Sequence, residues 1–426
     1  MQTKVLKGMK DVLPSQSARW RAVEREMRKA ALLAGYREIR TPVVEHTELF
    51  ARSAGESSDV VRKEMYTFLD KGERSISLKP ESTAGTVRAF LESGLYAQAL
   101  PLKLYYINAP HFRYEAPQSG RLREHHQFGM ECFGASQPSA DAELIALVMN
   151  LLSSFGLKNL SVRINSIGCP NCRPAYQQHF KEYLNQRKDQ LCATCKERME
   201  VNPMRTLDCK DPNCKEALHD APVMMDCLCD ECKEHFELLK RYLEQIGISY
   251  SVDPRIVRGL DYYTKTVFEI ITTTPTGELT VCGGGRYDGL VEELGGPAIP
   301  AVGFGMGVER VLMLLDALEP DECKLQIEDE VPELFVACLN KALSIQAFSL
   351  LKSLRDAGLR ADMDHQGRSL KAQFKYADKL GAKYIVIIGD DELAKGVVKL
   401  RDMSTKEEQE IPLENAASAL KGIIIQ

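Results

Sequence analysis

The chain has 426 residues, 44% of them hydrophobic and 27% charged, with a formal net charge of −5. That length suits two or three domains with sizeable cores, and no apolar run approaches the roughly 20 residues that a membrane helix needs. An acidic balance argues against indiscriminate nucleic-acid binding, which depends on neutralising phosphates with a basic surface. The opening string MQTKVLKGMKDVLP has no apolar signal region, so a cytoplasmic location is expected.

In chain order, the pattern from about Ser15 to Leu33 predicts a helix. Arg19, Arg21, Arg25, Arg28 and Lys29 form a positive cluster on it, either a solvated face or a basic strip for nucleic acid. Residues 77–94, SLKPESTAGTVRAFLESG, read as a strand end, a proline turn and a helix starting near Ser82 or Thr83. The first turn of such a helix offers unpaired N–H groups and a positive dipole end.

Tyr105 to Gly134, YYINAPHFRYEAPQSGRLREHHQFGMECFG, alternates over two runs joined by a link containing Pro117, Ser119 and Gly120, which predicts a hairpin. It holds Arg113, Glu115, Arg121, Arg123, Gln127 and Glu131 between apolar residues. Arginine suits a fixed anion site, because its planar fork binds carboxylate or phosphate bidentately and stays charged. A solvated strand face is the competing interpretation.

From about Cys169 to Gly247 the composition changes abruptly, as expected of an insertion. Nine of the 13 cysteines fall here: Cys169, Cys172, Cys192, Cys195, Cys209, Cys214, Cys227, Cys229 and Cys232. Paired C-x-x-C knuckles in a reducing compartment point to metal rather than disulfides, and four thiolates suit Zn²⁺ in one or two structural sites. Iron–sulfur ligation and oxidation-sensitive free thiols use the same residues.

Residues 301–318, AVGFGMGVERVLMLLDAL, predict a glycine-punctuated strand and then a helix with Arg310 in its opening turn. The glycine spacing does not fit a dinucleotide fingerprint, and no G-x-x-x-x-G-K-[ST] loop occurs, so any nucleotide must be held by side chains. An acidic, proline-containing link from Asp316 to Pro332 marks a boundary. Beyond it ELFVACLN, a helix to about Ala357, GLRADMD, a helix through Leu380, AKYIVIIGD, VVKLRDM and a last helix predict an α/β domain with a mixed or parallel sheet.

These strings resemble a family. The hairpin with F-R-x-E resembles motif 2 of class II aminoacyl-tRNA synthetases, G-x-G-x-G-x-E-R resembles motif 3, and GYREIRTPVVEHTELF at 35–50 resembles motif 1 with its Pro42. RGLDYYTKTVFEI at 258–270 and TVCGGGRYDGLVEELGG at 280–296 resemble the histidine-specific signatures of histidyl-tRNA synthetases. The similarity runs from KGMKDVLP at Lys7 to the C-terminal domain.

The fold class implied is α/β: an α+β catalytic domain with a mainly antiparallel sheet flanked by helices (1–168 and 248–324), a small cysteine-rich insertion (169–247) and a C-terminal α/β anticodon-binding domain (332–426). The activity implied is ATP-dependent, Mg²⁺-assisted ligation of L-histidine to histidine tRNA through histidyl-adenylate, in a homodimer built on motif 1.

The resemblance implies that Arg113 bridges the α-phosphate and the carboxylate, that Arg258 is a second cation on the α-phosphate, and that Arg310 holds the distal phosphates and covers the adenine face. His125 is implied to stack on adenine, Glu115 to read its edge, and Arg121 to reach the outer phosphates. Gln127 and Glu131 are implied to orient the histidine α-ammonium, with Glu81 and Thr83 touching histidine beside them and Glu131 also a candidate for sharing Mg²⁺. Tyr262 and Tyr263 are implied to line the imidazole pocket, since buried polar partners reject analogues that leave them unpaired.

Ser82 stands where the family usually has Gly, Ala116 follows Glu115 where many relatives carry Arg, and Lys7 stands where Arg is frequent. The last two positions lie in elements that approach the tRNA acceptor end in the family, leaving Gln118 and Arg123 as candidates there. A competing function is the synthetase-like regulatory subunit of histidine biosynthesis, which binds histidine without ligating it. A class II synthetase for proline, threonine or glycine does not fit RGLDYY and GGGRYDG, and a metal-binding nucleic-acid module does not account for the hairpin.

Overall fold

The computed structural model describes residues 3–55, 58–117, 120–275, 277–328 and 330–424. Its contacts divide the chain into two compact units, Met1–Ile327 and Glu328–Gln426.

In the first unit the strands are β1 (Arg37–Glu38), β2 (Val44–His46), β3 (Thr67–Leu69), β4 (Ser75–Leu78), β5 (Leu102–Phe112) and β6 (Glu124–Phe133). They are followed by β7 (Leu160–Ser166), β8 (Tyr250–Val252), β9 (Thr264–Thr274), β10 (Gly277–Arg286) and β11 (Ala301–Gly307). Eight of these form one sheet in the order β1-β5-β6-β11-β10-β9-β7-β8, and β2, β4 and β3 form a small separate sheet. The five central pairings of the large sheet are antiparallel and the two edge pairings are parallel.

Alternation explains how this sheet packs. Along β6, Phe128, Met130 and Cys132 point into a core shared with the helices Pro14–Leu33, Pro138–Ser154 and Val308–Asp316, and Val302, Phe304 and Met306 of β11 join them. The residues between them, Gln127, Gly129 and Glu131 on β6 and Gly303, Gly305 and Gly307 on β11, share the opposite face and lie in register. The predicted hairpin is β5 and β6, and the predicted strand and helix at 301–318 are β11 and Val308–Asp316.

The helix expected near Ser15 runs Pro14–Leu33. Its basic cluster is not a free positive strip. Arg19 pairs with Asp316 at 3.1 Å, Arg28 with Glu38 at 3.4 Å, Lys29 with Glu26 at 3.8 Å, and Arg25 donates to Gln326 O at 2.6 Å.

The second unit has a five-stranded mixed sheet, β13-β12-β14-β15-β16, with β12 (Leu334–Cys338), β13 (Ala361–Met363), β14 (Tyr384–Ile388), β15 (Val397–Asp402) and β16 (Glu408–Pro412). Helices Ser344–Asp356, Leu370–Leu380 and Ala416–Ile424 pack on it. The strand β16 and the short helix Asp390–Ala394 escape the sequence pattern, because EQEIP is mostly exposed and carries little apolar alternation.

Candidate functional site

Three separate stretches bring guanidinium groups to one open cavity of about 210 Å³. Arg113 follows β5 and Arg121 precedes β6, Arg258 lies on the loop before β9, and Arg310 sits in the first turn of Val308–Asp316. Each is braced by a carbonyl or a carboxylate. Arg113 donates to Pro80 O at 3.0 Å, Arg310 donates to Gly120 O at 2.9 Å and Thr280 O at 2.5 Å, Arg258 pairs with Glu269, and Arg121 pairs with Glu115. Burial and then the neighbouring charges of Arg121, Arg258 and Arg113 pull the Arg310 pKa down, with Glu115 partly compensating. Such crowding of like charge is what a site prepared for a polyanion requires.

His125 lines the same cavity, and its pKa falls to about 3, first through burial and then through Arg113 and Arg310. Its imidazole is therefore neutral at working pH, a flat apolar face among cations. Gln127 also lines the cavity, 3.3 Å from His125 Nε2 through its amide nitrogen.

Beside the cavity lies a buried polar cluster. The Glu81 carboxylate accepts the backbone N–H groups of Thr83 at 2.6 Å and Ala84 at 2.9 Å, capping the helix Thr83–Glu92. Burial foremost raises its pKa despite those donors. Ser82, the departure from the usual glycine, hydrogen-bonds to the buried His111 at 2.7 Å.

Glu131 is 1% exposed, and its oxygens are taken by three hydroxyls: Thr83 at 2.8 Å, Tyr106 at 3.2 Å, and Tyr287. These donors favour the carboxylate, yet burial outweighs them and lifts its pKa to about 8. Glu131 is not among the residues that line the cavity, and both its oxygens accept hydrogen bonds within this cluster. Tyr262 and Tyr263 are buried in the same cluster, with ring centroids 4.8 Å apart and Tyr262 5.6 Å from Tyr287.

The glycines make this arrangement possible. A Cβ on Gly303 would overlap the Glu131 carboxylate, and one on Gly283 would overlap the Arg258 guanidinium. The glycines of β10 and β11 thus clear a sheet face for neighbouring side chains instead of wrapping a pyrophosphate.

Sequence reasoning passes over Glu269, Glu309 and Tyr287. Glu309 accepts the His126 N–H through both oxygens, at 2.9 and 3.0 Å. All three stand within or next to the strings that carry the resemblance, and their partners are 11, 183 and 156 residues away. Of the residues weighed for the acceptor end, Arg123 stacks on Tyr114 at 4.0 Å and donates to Glu115 O at 3.0 Å, while Gln118 lies outside the described residues. The Gly8 carbonyl accepts the N–H of Arg123 at 2.8 Å, so the string after Lys7 is seated on the hairpin that carries Ala116.

The nine clustered cysteines separate into two groups of four: Cys169, Cys172, Cys229 and Cys232, and Cys192, Cys195, Cys209 and Cys214. Cys227, the ninth, belongs to neither among the described residues.

Comparison with known proteins agrees with this geometry. A family model described as histidyl-tRNA synthetase matches residues 8–311, and one described as anticodon binding domain matches residues 333–423. A histidine–tRNA ligase of Caldanaerobacter subterraneus subsp. tengcongensis is 55% identical, with 99% of this chain and 100% of the relative covered. One of Clostridioides difficile is 50% identical, with 99% of each covered. The crystal structure of apo S. aureus histidyl-tRNA synthetase superimposes with a TM-score of 0.83 at 39% identity, covering 99% of this chain and 100% of that one. With the family model at 8–311 spanning the segments that bring the four arginines together, and relatives aligned end to end, the chain belongs to the histidyl-tRNA synthetase family.

Proposed function

We propose that the chain is a histidine–tRNA ligase, which activates L-histidine with ATP to histidyl-adenylate and transfers the histidyl group to the 3′ end of histidine tRNA. The observation that carries this is the convergence of Arg113, Arg121, Arg258 and Arg310 on one cavity beside the Glu81, Thr83 and Glu131 cluster. In the first step the histidine carboxylate attacks the α-phosphorus, the bond to the β-phosphate oxygen breaks, and pyrophosphate leaves.

Negative charge builds on the α-phosphate oxygens, where Arg113 and Arg258 wait as fixed donors that need no reorganisation. Arg310, with Arg121, holds the distal phosphates, and the neutral ring of His125 lies against the adenine whose edge Glu115 reads. Magnesium enters as part of the MgATP substrate. The cavity's own carboxylates, Glu115 and Glu309, are engaged by Arg121 and His126.

Glu81, Thr83 and Gln127 take the α-ammonium. Tyr262 and Tyr263 line the imidazole pocket, their hydroxyls selecting a ring that both donates and accepts, and Glu131, accepting from Thr83, Tyr106 and Tyr287, holds Thr83 in place beside the α-ammonium. Gly303→Ala would push the Glu131 carboxylate aside. Histidine-dependent ATP–pyrophosphate exchange should then fall about 10²-fold, as for an ångström-scale misplacement of a reacting group.

The catalytic domain is assigned to 1–168 and 248–324, the insertion to 169–247 and the anticodon-binding domain to 332–426. The match at 333–423 supports tRNA reading by the second unit. Exposed Phe68, Leu69 and Val44 on the small sheet beside motif 1 support burial of that face in a homodimer. Among the described residues no helix is long and apolar enough to cross a membrane, and a cytoplasmic location is part of the same proposal.

ATP–pyrophosphate exchange with a panel of free amino acids and no tRNA tests the assignment. Exchange with histidine alone is expected. Histidine binding without exchange would instead favour a regulatory role. A protein of Bacillus halodurans described as an ATP phosphoribosyltransferase regulatory subunit/histidyl-tRNA synthetase shares the fold at 22% identity, so the fold by itself does not separate the two roles.

A further inference from the structure

In each four-cysteine group all Sγ atoms lie within 4.8 Å of one another. Cys169 and Cys172 are 3.5 Å apart, Cys169 and Cys229 3.8 Å, and Cys192 and Cys209 3.9 Å. A disulfide needs about 2.05 Å, so these contacts are not S–S bonds. Four sulfurs placed about 2.3 Å from a central zinc ion in tetrahedral array stand about 3.8 Å from one another, close to these three spacings.

Each group also has a backbone donor aimed at a sulfur. The Cys229 N–H reaches Cys172 Sγ at 3.1 Å, and the Cys192 N–H reaches Cys214 Sγ at 3.1 Å. Such donors favour the thiolate that a metal requires. An iron–sulfur cluster needs space among its ligands for its own sulfides, which sulfurs packed this closely, with Cys195 and Cys214 fully buried, do not leave.

We infer that the insertion holds two structural Zn²⁺ ions, one in each cysteine group, and that the second ion braces the loop carrying Arg258. The first group ties residues just after β7 to the start of the helix Asp230–Gln245, closing the insertion at its base. The second group encloses a segment whose polar side chains grip the catalytic unit. Arg198 reaches Asp59 at 2.6 Å, Asn202 donates to Asp261 at 2.9 Å, and Arg205 donates to Arg258 O at 3.1 Å. Arg258 and Asp261 belong to the RGLDYY string, so an ion between Cys192 and Cys214 fixes the far side of the loop that presents the guanidinium to substrate. The brace rests on the proposed role of Arg258, whereas the metal sites do not.

Elemental analysis of the full-length enzyme, purified without chelator or added metal, should find two zinc ions per chain. Cys209→Ser should retain one and Cys227→Ser two, and Co²⁺ replacing zinc should give thiolate-to-metal charge-transfer absorption, halved in Cys209→Ser. A count of one or none, iron in place of zinc, or two ions retained by Cys209→Ser overturns the metal assignment. If Cys209→Ser does not fold, the wild-type count and the cobalt spectrum decide. Asn202→Ala, which keeps all eight thiols, should retain two zinc ions and slow histidyl-adenylate formation about 10-fold with histidine binding little changed, while Cys227→Ser forms adenylate at the parent rate. Adenylate formation at the parent rate in Asn202→Ala overturns the brace and leaves the metal count standing.

Discussion

Arg258→Ala should lower histidyl-adenylate formation by about 10²–10³, a loss of roughly 2.7–4 kcal/mol of transition-state stabilisation, with little change in histidine affinity. The guanidinium is preorganised by its pairing with Glu269, by the open space over Gly283 and by the backbone contact from Arg205, so it reaches developing charge without first being ordered. Removing it leaves Glu269 facing a cavity meant for phosphates, which adds repulsion to the lost attraction. Arg258→Lys should recover only part of the rate, since a point charge on a flexible stem cannot reproduce the fork. Single-turnover adenylate formation and equilibrium histidine binding separate the two quantities. Near wild-type adenylate formation in the alanine variant would reject the role, and equal losses in binding and rate would recast Arg258 as a histidine-binding group.

Much of this site is legible in the sequence because its residues lie on regularly alternating strands. The period-two pattern of β6 places Gln127, Gly129 and Glu131 on one face, and the glycines of β11 stand opposite them, so the hairpin and the motif at 301–318 foretell one surface. What cannot be read is how deep each group lies. Glu131 looks like any other charged residue of the hairpin, but closure by Tyr106, Thr83 and Tyr287 removes it from the cavity. The basic face of the helix Pro14–Leu33 likewise looks free until Glu38 and Asp316, distant in sequence, are brought alongside. The cysteines can be counted but not partitioned, because the grouping of Cys169 with Cys229 depends on a helix returning to the start of the insertion.

Arg286 lies in the GGGRYDG string and belongs to the histidine signature, but its contacts are architectural. It is 0% exposed and fully paired: its Nη2 stands 2.6 Å from Asp141, its Nη1 donates to Ala135 O at 2.7 Å and contacts Asp288 at 3.2 Å, and Nη2 also reaches Gln137 O at 3.1 Å. This pair ties the end of β10 to the first turn of the helix Pro138–Ser154, behind the sheet face that holds substrate.

Asp141→Ala leaves a buried guanidinium without its main counter-charge, and should destabilise the first unit by about 3–5 kcal/mol, read as a lower urea midpoint by circular dichroism. Replacing both partners by apolar residues, Asp141→Leu with Arg286→Met, should restore much of that loss, because no uncompensated charge remains. The acid limb gives an independent check. Burial alone would raise the Asp141 pKa, but the Arg286 charge, joined by His235, outweighs it and holds the folded value below the ordinary 3.8. A carboxylate depressed on folding contributes its stability above the unfolded pKa and loses it as pH falls through the folded one. Wild-type stability should therefore decline below about pH 4, while the apolar double variant should decline less steeply over that range. Equal acid slopes, or an Asp141→Ala variant as stable as the parent, would show that Asp288 and the backbone carbonyls of Ala135 and Gln137 suffice to hold Arg286.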